Sequence, residues 1–212
     1  MTLISINIGL PREIIHGSQA ITTGIFKVPV AGPVWLGRLN LEGDGQADLR
    51  VHGGADKAVY VYPFEHYAFW AGELGRHDFS HGQFGENFTT HGLLEDEVSI
   101  GDVFQIGAAR VQVTQPRSPC FKLGIRMGDG TFPARFATVN RTGFYLSVLE
   151  EGRVTAGDEI ERVEPTAGSM NVREVFRLRH VGGTRAEYEC AVRLSGLSPS
   201  WRAAFEKRLA EK

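Results

Sequence analysis

The sequence predicts a mainly β protein: a β-barrel with one interrupting helix and a small C-terminal appendage of three short helices. Three observations carry this. Short segments alternate apolar and polar residues through the first two thirds of the chain, and glycine-rich turns separate them. After Glu164-Pro165 the apolar spacing switches from that of strands to that of helices. The sequence therefore divides into a barrel over 1–164 and a helical unit over 165–212.

Leu3-Ile4-Ser5-Ile6-Asn7-Ile8 alternates as a half-buried strand does, and Ala58-Val59-Tyr60-Val61-Tyr62 is a more fully apolar strand. Pro63 suits a first helical turn. Phe64, Tyr67, Ala68, Ala71 and Leu74 follow at helical spacing, with Gly75 as the stop. Val98-Ser99-Ile100 and Val103-Phe104-Gln105-Ile106 flank a Gly101-Asp102 turn, and Val111 and Val113 lead into Gln115. In the tail, Val172, Val175 and Phe176 mark one helix ended by Gly182-Gly183. Tyr188, Ala191 and Val192 mark a second, ended near Gly196. Ser198-Pro199 opens a third, lined by Trp201, Phe205 and Leu209. Helices this short are not expected to stand alone, so the tail should dock on the barrel with Cys190 in its core.

With 212 residues, 42% of them hydrophobic and 23% charged, the chain has the composition of a soluble globular protein. No apolar stretch approaches the ~20 residues that span a bilayer. The N-terminus reads as a strand rather than a signal peptide. Two cysteines without framework spacing suit a reducing cytoplasm, and the histidines show no zinc spacing.

Chemistry concentrates on Gln115-Pro116-Arg117-Ser118-Pro119-Cys120. Two prolines take the chain out of the sheet in a stiff loop that carries a thiol. Arg117, Lys122, Arg126, Arg135 and Arg141 surround it against one acid, Asp129, although the whole chain has a net charge of −2. Positive neighbours favour a thiolate, which is a nucleophile, a redox centre or a soft-metal ligand. A small buried hydrophobe is the bland alternative for Cys120. A local basic cluster on a slightly acidic protein suggests an anionic ligand rather than a nucleic-acid surface, unless acids from elsewhere in the fold neutralise it.

Three other segments stand beside this loop. His52-Gly53-Gly54 with Lys57 can point backbone N–H groups into a concavity, though tight turns use Gly-Gly routinely. Gly85-Glu86-Asn87 can read the polar edge of a heterocycle or simply fix a turn. Arg141 can clamp a phosphate with its planar fork or lie on the surface at a strand end.

Taken together and in this order, the His-Gly-Gly segment, Gly85-Glu86-Asn87, Ile100-Gly101-Asp102 and the run from Gln115 to Leu123 resemble MOSC proteins, most closely the bacterial YiiM type with its short helical tail. The resemblance spans nearly the whole chain. It implies a barrel that holds molybdenum cofactor, with Cys120 as the metal ligand. Arg117, Lys122 and Arg141 would be cofactor-side cations, and Gly53, Lys57 and Asn87 further contacts. It also implies a reductase of N-hydroxylated compounds (hydroxylaminopurines, amidoximes, hydroxylamines) that draws electrons from an external flavoprotein or haem protein. His52 would be the proton donor, since an imidazole ordinarily titrates near neutral pH. No nucleic acid, membrane or pyridoxal phosphate enters this reading. One rival makes Cys120 a persulfide acceptor in sulfur transfer. Another is a non-catalytic anion-binding module in which Cys120 is incidental.

Overall fold

A computed structural model describes residues 1–47 and 53–211. Its centre is an eight-stranded sheet in the order β12-β8-β9-β10-β6-β7-β1-β4. These strands are β1 (Thr2–Ile8), β4 (Val28–Val30), β6 (Val59–Pro63), β7 (Phe88–His91), β8 (Val103–Ile106), β9 (Ala109–Pro116), β10 (Phe144–Glu150) and β12 (Ile160–Glu164). All neighbours are antiparallel except β6 and β7, which run parallel and are connected through helix α1 (Glu65–Leu74). Two small ribbons, β2 (Arg12–His16) with β3 (Gln19–Thr23) and β5 (Val34–Leu36) with β11 (Gly152–Val154), stand outside this sheet.

The mainly β class with a helical tail is as expected, but the sheet is not a closed barrel. Its order has two ends, β12 and β4. They fail to pair because β1 already has β7 and β4 as neighbours. The residues leading into β12, with Ile160 at its start, meet the start of β1 through a Thr2–Glu159 bridge and the bonds Leu3 N–H to Asp158 O, Gly157 N–H to Leu3 O and Ile160 N–H to Met1 O, without forming a ladder. Pro63 ends β6 rather than opening α1, while Gly75 stops that helix in the left-handed conformation (φ 60°) as expected. Val98-Ser99-Ile100 forms no strand, and only Ser99 makes a bridge, to Asn171.

Two helices follow the Cys120 loop that the sequence did not reveal, α2 (Phe121–Met127) and α3 (Phe132–Val139). Each is two turns long, too short for a period to stand out, and Gly124, Gly128 and Gly130 punctuate them. What holds them is tertiary packing. Leu123, Met127, Phe132 and Phe136 join Tyr60, Tyr62, Tyr67, Trp70 and Phe84 in an aromatic cluster under α1. Rings such as Trp70 and Phe136 stack at 5.5 Å, and Trp70 Nε1 donates to the Tyr62 hydroxyl at 2.8 Å.

The tail forms α4 (Val172–His180), α5 (Arg185–Arg193) and α6 (Pro199–Ala210). Asn171 with Glu174 and Thr184 with Glu187 close capping boxes at the first two, so their starts are set locally. Docking is tertiary: Val175, Phe176, Tyr188, Trp201 and Phe205 share one core cluster with Val111, Val113 and Ile100. Ser198 N–H donates to Thr114 O on β9 at 3.1 Å. Gly196 lies so close that a Cβ there would meet Gly101 Cα at 2.4 Å, which is why the chain needs glycine at this seam. Cys190, expected in the core, is exposed, because α5 turns Tyr188 and Ala191 inward instead. No helix among the described residues is long and apolar enough to cross a membrane.

Candidate functional site

An open cleft of about 670 Å³, mouth included, lies where the end of β9 leaves the sheet. One wall is Arg117, Ser118 and Cys120 with Lys122 on α2; Tyr60 of β6 and Tyr145 of β10 stand beside them. Thr23 at the end of β3, Gly24, Ile25 and Lys27 also line the cleft, together with Asp44 to Ala47, Gly85 and Asn87. Lys57 completes the rim.

Cys120 is half-buried in extended backbone (φ −131°, ψ 171°) at the start of α2. Arg117 next to it is 6% exposed. Its N–H donates to Gly143 O at 3.1 Å, which ties the loop to the turn before β10. Its guanidinium lies 4.7 Å over the Tyr60 ring and donates to that residue's hydroxyl at 3.4 Å. Burial works against its charge, but Tyr60, Tyr145 and Cys120 outweigh it and hold the guanidinium more basic than usual. Among the described residues it has no carboxylate partner.

The lining around Lys27 is neutralised from within. Lys27 Nζ rests on Asp44 Oδ1. Asp44 also accepts from Gly9 N–H at 2.8 Å and from Asn87 Nδ2 at 2.9 Å. Asn87 is spent as well: its Oδ1 accepts from Tyr60 N–H at 3.1 Å and its Nδ2 donates to Asn7 O at 3.3 Å. Beneath it, buried Glu86 accepts from Gly82 N–H, Phe84 N–H and the Tyr67 and Thr89 hydroxyls. Burial pushes both groups toward neutrality, raising the Glu86 carboxyl and lowering the Lys27 ammonium.

The tail approaches the mouth. His180 at the end of α4 lies 3.2 Å from the Ser118 hydroxyl. The half-buried Lys57 is lowered by burial, with Asp56 opposing and the charge of Arg179 adding to the effect.

Of the residues expected from sequence, Cys120, Arg117, Lys122, Lys57 and Asn87 meet in this cleft. Asn87 meets it as a brace rather than with an open amide edge. Gly53 is half-buried but does not line the cleft, and Gly54 instead starts the 3₁₀ turn Ala55–Lys57. Arg141 is not brought there either. Its guanidinium packs 4.4 Å over Phe69 and its Nη1 lies 3.4 Å from His66 Nδ1, while its carbonyl accepts from the Tyr62 hydroxyl at 3.1 Å. These aromatic contacts pull it to the α1 side of the sheet. His52 lies outside the described residues.

Sequence reasoning missed Lys27, Tyr60 and Tyr145. The first left a trace: a lone cation in the apolar run Ile25-Phe26-Lys27-Val28 is a burial signal when no partner is adjacent. The tyrosines carried no such mark, since strand tyrosines are ordinarily core.

Residues 48–161 match the family model for the MOSC domain, and residues 172–212 match that for the YiiM-like, 3-alpha helix domain. The uncharacterized protein YflK of Bacillus subtilis is 44% identical over 208 residues, which cover 98% of this chain and 94% of that protein. A protein of Gibberella moniliformis named Reductase is 34% identical over 167 residues, covering 76% of this chain but 30% of the fungal protein. The crystal structure of YiiM from Geobacillus stearothermophilus superposes with a TM-score of 0.82 at 35% identity and covers 98% of both chains.

Proposed function

Because the chain belongs to the MOSC family, in the YiiM type with its three-helix tail, we propose that it is a molybdenum-cofactor-dependent reductase of N-hydroxylated compounds. The observation that carries this reading is Arg117, a buried guanidinium beside Cys120 with no carboxylate partner among the described residues. A buried charge left without a counter-ion is costly, so the site calls for an anionic ligand. The half-buried thiol on the same wall adds a soft donor for a high-valent metal. An organic cofactor that carries its own sulfur donors would complete the coordination that Cys120 begins. That donor set suits a pterin with a dithiolene and a phosphate.

In this reading Cys120 Sγ holds the metal, while Arg117, Lys57 and Lys122 balance the charge of the cofactor. When bound, the cofactor supplies a two-electron redox centre, recharged by an external flavoprotein or haem protein. The chain does the rest. The Tyr60 and Tyr145 rings wall the cleft, and the Asn87–Asp44 brace keeps the lining around Lys27 rigid. Relatedness of this segment to a protein named Reductase favours redox chemistry over sulfur transfer.

Protein purified from a host that makes the cofactor is expected to contain molybdenum and pterin fluorescence and to reduce benzylhydroxylamine and 6-hydroxylaminopurine. Cys120→Ser should lose both the metal and the activity. Full activity in that variant, or a molybdenum-free wild type carrying a persulfide on Cys120, overturns the reading, the latter in favour of sulfur carriage.

A further inference from the structure

We propose that the Lys27 ammonium, seated on Asp44 in the wall of the cleft, is the catalytic acid that protonates the departing hydroxyl oxygen when the N–O bond of the substrate breaks. This rests on the reductase reading above and names the proton source for it.

Lys27 and Asp44 are both buried, at 6% and 9% exposure, yet both line the cleft that Cys120 lines. An ammonium has three protons to give, and one is taken by Asp44 Oδ1. Among the described residues Nζ has no second acceptor, so two donors remain for whatever occupies the cleft. Asp44 cannot swing away with its partner, because Gly9 N–H and Asn87 Nδ2 hold its two oxygens. Asn87 is in turn fixed by β6 and β1 through Tyr60 N–H and Asn7 O. A pair serving only to join two loops has no need to face an open cleft or to be braced from two strands. Burial pushes the ammonium below the usual lysine value, with Asp44 and Glu86 opposing, which eases proton release.

The hydroxylamine takes two electrons, drawn from the external flavoprotein or haem protein, and two protons. Its N–O bond breaks; the oxygen takes one proton from Lys27 and leaves as water, and the nitrogen takes the other from solvent to become the amine. Lys27 is reprotonated through the mouth of the cleft.

Lys27→Arg keeps the charge on Asp44 but gives up no proton near neutrality. The variant should retain molybdenum and its KM for benzylhydroxylamine while kcat falls about 10²-fold or more. In cofactor-free wild type, the lysine ¹³Cε resonance assigned through Lys27→Met should titrate below the ordinary value of about 10.4. An active wild type with an equally active Lys27→Arg variant sinks this inference alone. So does a Lys27 resonance that titrates at or above the ordinary value, whether or not the arginine variant folds. A wild type with neither molybdenum nor activity sinks the functional reading, and this one with it.

Discussion

On one wall of the cleft Lys27 and Asp44 neutralise each other, and Asn87 and Gly9 hold the Asp44 oxygens in place. On the other, Arg117 is equally buried at 6% exposure but meets aromatic faces and a phenol instead of a carboxylate. The two cations occupy similar depths, and the contrast between them lies in their partners. Lys27 has its counter-ion within the fold and keeps only its spare N–H donors for a ligand, whereas the charge of Arg117 meets no acid among the described residues and is left for one. The wall that looks incomplete is therefore the one that carries the thiol.

The largest effect should come from breaking the complete wall. Asp44→Asn leaves the Lys27 charge buried without its counter-ion and should destabilise the protein by about 3–5 kcal/mol in urea melts at neutral pH. The sign with pH is specific. Burial lowers the folded-state pKa of Lys27 below its unfolded value, so the unfolded chain binds more protons between the two. The cost is present in full below the folded pKa and is relieved as pH rises through it. A deficit that does not shrink in alkali would mean that the charge is not its cause.

Arg117→Met sharpens the other side. Removing the guanidinium forfeits its contacts with the Tyr60 and Phe136 rings and should cost cofactor-free protein no more than about 2 kcal/mol, less than Asp44→Asn. Molybdenum retention should nevertheless drop at least about tenfold, as for a lost charge-assisted contact. Marked unfolding of the cofactor-free variant would show that the two walls are alike after all. The smallest effect belongs to Arg141→Met, whose guanidinium packs over Phe69 rather than in the cleft. It should cost about 0.5–1 kcal/mol of thermal stability and leave molybdenum content unchanged. Loss of metal there would extend the ligand-facing charge beyond the cleft.

These contrasts also separate what could be read in the chain from what could not. The Cys120 loop was legible because two prolines, a thiol, Arg117 and Lys122 fall within one short run from Pro116 to Lys122, so their proximity needs no fold. The tail helices were legible from spacing and from Ser198-Pro199, where Pro199 opens α6 as expected although the Ser198 side chain makes no cap hydrogen bond. Arg141 misled for a complementary reason: its charge is local, but the direction of its side chain depends on Phe69 and His66, more than seventy residues earlier. Helices α2 and α3 escaped notice because two turns carry no period and their helicity comes from the aromatic cluster they complete. The expected barrel stayed open because closure depends on which partners β1 takes, and strand alternation does not encode that choice.

Thus the sequence by itself determined the β-rich class, the helical tail and a basic loop centred on Cys120, all of which rest on interactions a few residues long. Only the tertiary structure decided that Lys27, Asp44 and Asn87 face that loop, that Tyr60 takes the place of an acid beside Arg117, and that Arg141 turns away. Each of those facts is a meeting of residues tens of positions apart. Such meetings are set by how strands pair and aromatic side chains pack, which no local pattern in the chain records.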